Sequence, residues 1–262
     1  MLNVKTILNP DGAEYKRGKW NFWIKKFLKI SESYGLRYAS SVIADSLIIQ
    51  NYIKNTFNIN SYLIEYGGDN SKFVPMSKIT ERRYCIKSGN YAFKVCRIES
   101  ENNLDLILEA FSKFNYQIIV VGNWKLSQYG FNLRSKYSVF SNLILLDPIY
   151  DQITLDELRS NCRLYIHGHS VGGTNPSLVE AMNLSLCCLV YDVDYNRETT
   201  ENSAIYFDSV DSILINLNEL VNNESKCKEI GSAMFDISIR RYRWESIITK
   251  YNEVISDLFI QP

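Results

Sequence analysis

From Tyr91 onward the chain alternates short, uninterrupted apolar runs with segments of helical period, and this alternation restricts its architecture more than any other feature. The runs are AFKVC, QIIVV, LILL, LYIHG and CCLVY. A strand that is apolar at every position has both faces buried, the condition of a parallel sheet covered by helices on either side. Between the first two runs, NNLDLILEAFSKF sets Leu104, Ile107, Leu108 and Phe111 at helical spacing. Repeated strand–helix–strand units with right-handed crossovers predict an α/β fold with a doubly wound, Rossmann-like parallel sheet. The closing segment WESIITKYNEVISDLFI predicts a long amphipathic helix carrying Trp244, Ile247, Ile248, Tyr251 and Ile255 on its apolar stripe.

The first seventy residues read differently. VKTIL, SSVIADS and SYLIEYGG are predicted strands, separated by the helices KWNFWIKKFLKI and LIIQNYIKNTF. Three strands and two helices make only part of a domain, so the expectation is a remnant (residues 1–70) joined to a complete domain (residues 71–262). The turn at Gly67–Gly68–Asp69 marks the boundary. A sheet that begins so abruptly is expected to leave the apolar faces of its strands uncovered. The first helix places Trp20, Trp23, Ile24, Phe27 and Leu28 on one face and turns Lys25, Lys26 and Lys29 outward. That pattern fits a face packed against its own domain, and it also fits peripheral contact with an anionic membrane.

Composition narrows the function classes. A formal net charge of zero argues against nucleic acid as partner, since duplex binding shows a clustered basic excess. The six cysteines contain no C-x-x-C pair and read as buried thiols in a reducing compartment. No apolar stretch reaches the roughly 20 residues that span a bilayer, and MLNVKTILNPDG lacks signal-peptide architecture. The expected location is cytoplasmic, with the inner membrane face as the place of any peripheral contact.

The segment that carries chemistry is LYIHGHSVGGTNPSLVEAM, residues 164–182. A buried strand ends, a polar loop follows, and Asn175 with Pro176 signals a helix start. A glycine pair before a helix N-terminus lets backbone approach an anion, and the exposed N–H groups and helix dipole favour phosphate. Glu180 lies about one turn inside the helix, with its carboxylate tilted back toward the loop. Phosphate at Gly172, Gly173, Thr174 and Asn175 and a ribose hydroxyl at Glu180 would satisfy both groups. The two histidines of the chain, His167 and His169, fall in the same loop and could contact phosphate or sugar. Zinc is disfavoured because no third ligand shows itself.

This segment resembles the donor-binding signature of glycosyltransferase family 4, the retaining enzymes of the two-domain GT-B type. It is most similar to a bacterial rhamnosyltransferase-like branch that builds surface polysaccharides such as O-antigen and capsule. NPDGAEYKRGKW, VIADS, EYGGD, CRIESENN, VVGN, DPIYDQ and HGHSVGGTNPSLVEAM carry the resemblance, in that order. It implies that Arg97 is the phosphate-binding arginine, that Glu180 bonds the nucleotide ribose, and that Ile149 lies where the nucleobase rests. Asp11 would sit near the catalytic cleft, although a plain Asp-Gly turn explains it equally well. With Asp11, the histidines His167 and His169 are the candidate catalytic residues.

Two departures from the family pattern stand out. Many members carry a glutamate where this chain has Gly172, so the carboxylate grip on the donor sugar is absent. That would suit a deoxy sugar, or leave the work to backbone amides. The common phosphate-binding lysine is replaced by Asn102 and Asn103, and the histidines are expected to compensate. Asp192–Val193–Asp194 spells a D-x-D of the kind that chelates metal in another glycosyltransferase fold, but the resemblance implies no metal and no cofactor. The implied activity is transfer of a sugar, rhamnose from dTDP-rhamnose, to a growing surface polysaccharide or lipid-linked glycan acceptor. The alternative is an inactive nucleotide-sugar-binding fragment, or a subunit of a split enzyme whose partner chain supplies the rest of the N-terminal domain.

Overall fold

The computed structural model describes residues 4–10, 14–18 and 20–260. In chain order it runs β1 (Ile7–Leu8), α1 (Phe22–Tyr38), β2 (Ser41–Ala44), α2 (Leu47–Phe57), β3 (Tyr62–Leu63), α3 (Lys78–Tyr84) and β4 (Ala92–Val95). There follow α4 (Leu104–Lys113), β5 (Ile118–Val121), α5 (Gln128–Tyr137), β6 (Leu143–Leu146), α6 (Gln152–Ser160), β7 (Leu164–His167) and α7 (Pro176–Asn183). The chain closes with β8 (Cys187–Tyr191), α8 (Asp194–Thr199), β9 (Ile205–Phe207), α9 (Val210–Leu220), α10 (Glu224–Arg241) and α11 (Trp244–Ile260). Among the described residues there are two all-parallel sheets, β1-β2-β3 and β6-β5-β4-β7-β8-β9.

The apolar runs of the sequence are the strands of the larger sheet, and the physical reason is burial. Every residue of β5 and β7 is buried, as are Ala92, Phe93 and Lys94 of β4. Leu104, Ile107, Leu108 and Phe111 of α4 are all inaccessible and form one core with Ile118–Val120, Tyr165 and Leu189. No sequence expectation covers α8, α9 and α10, between the last apolar run and the closing helix, or two short elements besides. α3 is a short helix capped by Ser77, and β9 is three residues added to the sheet edge.

The smaller sheet corrects an expectation. Its central strand is covered on both faces, because successive side chains point to opposite sides. Val42 and Ala44 pack with Leu36, Ile49 and Ile53 under α1 and α2. Ile43 turns the other way and packs with Ile64, Ile247 and Val254. The last helix therefore crosses back to cover the first sheet. That partner also decides which of its residues are buried: Ile247, Tyr251 and Val254 face inward, whereas Ile248 and Ile255, expected on the buried stripe, are exposed.

The apolar surface that remains open lies on α1. Phe22, Trp23, Phe27, Ile30, Tyr34 and Tyr38 are exposed, and Leu36 is the buried residue of the helix. Of the stripe read from the sequence, Trp23, Ile24 and Phe27 are exposed, while Trp20 and Leu28 are half-buried. Among the described residues no helix is long and apolar enough to cross a membrane.

The two sheets are tied together by buried charge. Arg241 donates to Glu65 just beyond β3 at 2.5 Å, to Glu198 of α8 at 2.6 Å and to Glu201 at 3.1 Å. Trp244 donates its backbone N–H to Asp69 at 2.9 Å.

Candidate functional site

In the larger sheet the chain moves outward one way through β4, β5 and β6, then the other way through β7, β8 and β9. The reversal falls between β4 and β7, and ligands of open α/β sheets bind beyond the carboxyl ends of strands at such a switch point. A cavity of about 500 Å³ lies there, within the usual size range of small-molecule sites. Its floor is the end of β4 (Lys94 to Arg97) and of β7 (His167), with His169 beyond. Its rim is the Val171–Asn175 loop, and one wall is the first turns of α7. Leu155 and Arg159 come from α6, and Arg17 and Tyr66 come from the N-terminal segment.

The loop is shaped by its glycines and by the first sheet. Gly172 has φ +116°, a conformation that L side chains rarely adopt. Gly173 packs against Asp45, where an added Cβ would meet a carboxylate oxygen at 1.9 Å. Thr174 donates its hydroxyl to the backbone oxygen of Asp45 at 2.6 Å, so that group is spent on holding the loop. Asn175 accepts from the Ser177 N–H and Pro176 opens the helix, leaving the N-terminus of α7 aimed at the cavity.

Glu180 faces the cavity but is already engaged. One oxygen accepts from Arg159, and the other accepts from Asn70 Nδ2 at 2.9 Å. Arg159 also donates to Asp156 at 2.6 Å, while its buried Nε has no hydrogen-bond partner. A fully buried arginine thereby fixes the direction of the carboxylate.

The basic groups divide into committed and uncommitted ones. Arg17 is buried between Glu14 (2.6 Å) and Glu101 (2.9 Å). Arg97 is 58% exposed and makes only loose contacts, 3.8 Å to Glu101 and 4.0 Å to Glu99. Its guanidinium is free to swing onto an anion.

Both histidines lie in the cavity, yet not as cations. Burial holds His167 well below its ordinary value, aided by the nearby charge of Lys94, and its Nε2 has no hydrogen-bond partner. Burial, with Lys94, Arg17 and Arg97 close by, lowers His169 to about 4. The histidines expected to compensate for the missing lysine can therefore do so at neutral pH only by neutral imidazole hydrogen bonding, without charge. Asn102 lines the cavity too, donating to the Arg97 carbonyl at 2.8 Å and lying 3.2 Å from His169 Nδ1.

The remaining residues singled out in the sequence are dispersed. Asn103 does not line the cavity; it takes the left-handed conformation at the start of α4 and donates to the Gly168 carbonyl at 2.8 Å. Ile149 is half-buried against the main core, away from the lining, where Leu155 and Tyr66 supply the apolar wall instead. Asp11 lies outside the described residues. Asp192 of the D-x-D accepts two bonds from Arg197, at 2.5 and 2.7 Å. Among the described residues, no group of three or more His, Cys, Asp or Glu side chains is placed to hold a metal ion. Sequence reasoning missed Arg17, Lys94, Arg159 and Tyr66. Of these only Lys94 left a trace, as a lysine inside an otherwise apolar strand.

A doubly wound sheet with a glycine loop and helix N-terminus at its switch point defines a Rossmann-like, anion-receptive binding domain. Residues 80–235 match the family model "Glycosyl transferases group 1", and the chain belongs to that family. Residues 1–69 match a domain of unknown function, DUF1972. No curated protein matches the chain at a significant level.

Among solved structures, a sucrose-phosphate synthase from Thermosynechococcus elongatus superposes with a TM-score of 0.84 at 14% identity, over 100% of this chain and 70% of that one. HepE from Anabaena, in complex with UDP, gives 0.77 at 13% identity, over 97% of this chain and 72% of that one. TarM, a protein of S. aureus, gives 0.75 at 16% identity, over 99% of this chain and 51% of that one. At these identities the likeness is one of fold, and the fold is of the GT-B glycosyltransferase type.

Proposed function

We propose that the switch-point cavity binds the nucleoside diphosphate of a sugar donor and that the protein transfers the sugar with retention of configuration. The observation that carries this reading is the convergence of the Gly172–Gly173 loop, the N-terminus of α7, the loosely held Arg97 and the oriented Glu180 on one cavity. The loop amides and Arg97 would hold the diphosphate, and Glu180 would bond a ribose hydroxyl. As the glycosidic bond breaks, charge builds on the departing diphosphate, and preorganised donors aimed there lower the barrier. His167 and His169, being neutral, would bond phosphate oxygens or sugar hydroxyls.

The donor we favour is dTDP-rhamnose, because no carboxylate occupies position 172 to grip the hydroxyls of a fully hydroxylated sugar. The acceptor would be a growing surface polysaccharide or lipid-linked glycan. The diphosphate would be held without metal. The relative HepE is seen with UDP and with UDP-glucose, which supports a nucleotide-sugar donor.

Calorimetry with dTDP and UDP in the presence of a chelator tests the reading. Metal-free binding is expected, weakened by about 10- to 100-fold in Glu180→Gln, the range for losing a charged hydrogen bond. Binding that appears only when Mg²⁺ or Mn²⁺ is added would overturn the metal-free reading. Unchanged affinity in Glu180→Gln would remove the glutamate from the ribose site.

A further inference from the structure

The cavity floor holds a buried cation for which no partner is found among the described residues. Lys94 is the third residue of β4, a central strand of the larger sheet, and is 1% exposed while lining the cavity. A lysine almost never occupies such a position unless it is paired, because burying an isolated ammonium costs several kcal/mol or displaces its proton. Among the described residues no hydrogen bond or ion pair of Lys94 is found. The other buried cations of the cavity differ: Arg17 is held by Glu14 and Glu101, and Arg159 by Asp156 and Glu180.

The surroundings supply no hidden counter-charge. Immediately after the strand, Cys96 is kept protonated by burial, which pushes its thiol up. From β7 and the loop after it, His167 and His169 face the lysine as neutral rings. Burial also draws Lys94 below the ordinary lysine range, the mark of an ammonium in need of an anion.

We infer that Lys94 is the buried cation of the donor site, forming a direct ion pair with the diphosphate that enters between the α7 N-terminus and Arg97. This inference rests on the nucleotide-sugar reading and adds to it the residue that neutralises the phosphate charge from below. A lysine suits that place, as a compact point charge on a flexible stem that needs no planar partner. The diphosphate would supply the counter-charge that Lys94 lacks among the described residues.

Calorimetry of inorganic pyrophosphate, UDP and dTDP with the wild type and with Lys94→Met and Lys94→Gln, alongside thermal melts, tests this. The variants should melt at or above the wild-type temperature, since an unpaired buried charge is gone, and should bind all three ligands at least tenfold more weakly. Wild-type affinity in the variants would overturn the Lys94 inference and leave the nucleotide reading standing. Loss of folding in both variants would also overturn it, by making the lysine structural. Wild-type protein that binds pyrophosphate but neither nucleotide would overturn the nucleotide reading and leave the anion site in place. Binding of no ligand by the wild type would defeat both.

Discussion

The two sheets obey the same topology and are stabilised very differently. In the larger one, inner strands buried along nearly their whole length share a continuous core with the helices, and only the edge strands β6 and β9 are mostly half-buried. In the smaller one, β1 and β3 pair over two residues each, and the core is divided by the sheet into two small clusters. One of those clusters exists only because α11, from the far end of the chain, lies across it. The contrast teaches that the first sheet borrows its stability from the second half of the chain, through α11 and through Arg241. It also separates two jobs: the larger sheet builds the cavity floor, and the smaller one shapes the loop that roofs it.

Replacing large aromatics in the two regions measures that contrast at its extremes. Phe93→Ala empties a fully buried site in β4 and should cost about 4 kcal/mol in chemical denaturation. A cost under about 1 kcal/mol would show that the larger sheet is not the stable body described here.

The borrowing itself is next in size. Arg241→Met leaves Glu65 and Glu198 buried without their main partner, and about 3 kcal/mol should be lost. Hydrogen exchange should then rise selectively in β1, β2 and β3. A uniform rise across both sheets would mean that they unfold as one unit and that the division is only geometric.

Acid should weaken the junction between loop and floor. The unfolded chain takes up a proton at His169 as pH falls through about 6.5, while the folded chain resists until about 4. Stability from this group is therefore complete above about pH 7 and declines below it, by about 2.5 kcal/mol at about pH 4.5. His169→Asn should flatten this part of the stability profile, and a profile of unchanged slope would remove His169 as its source. The smallest effect belongs to α1: Trp23→Ala, at a residue 73% exposed, should change stability by less than about 0.5 kcal/mol. A larger loss would mean that this face is covered in solution.

Legibility in the sequence followed the same division. The larger sheet could be read because uninterrupted apolar runs have one physical explanation, and α4 because its apolar spacing matches one helix face. The glycine loop and Glu180 were readable because their chemistry is local: a turn, a cap and a carboxylate one turn on. What could not be read was convergence. Arg159, Asn70 and Glu180 are far apart in the chain, and only folding makes Glu180 a carboxylate held from both sides. The neutral state of the histidines depends on their burial, which composition does not reveal. Likewise, the buried side of α11 was chosen by Ile43 and Ile64, so periodicity alone could not single out Val254 over Ile255. Ile149 was placed by resemblance; it is half-buried against the main core and does not line the cavity.

The contact between Gly173 and Asp45 couples these two positions. A Cβ at 173 would meet the carboxylate at 45, so it fits only if that side chain shifts or becomes smaller. Gly173→Ala should then act as a lesion that a second change, Asp45→Gly, suppresses. One letter of the loop is thus written partly by a residue just beyond β2, more than a hundred residues earlier in the chain.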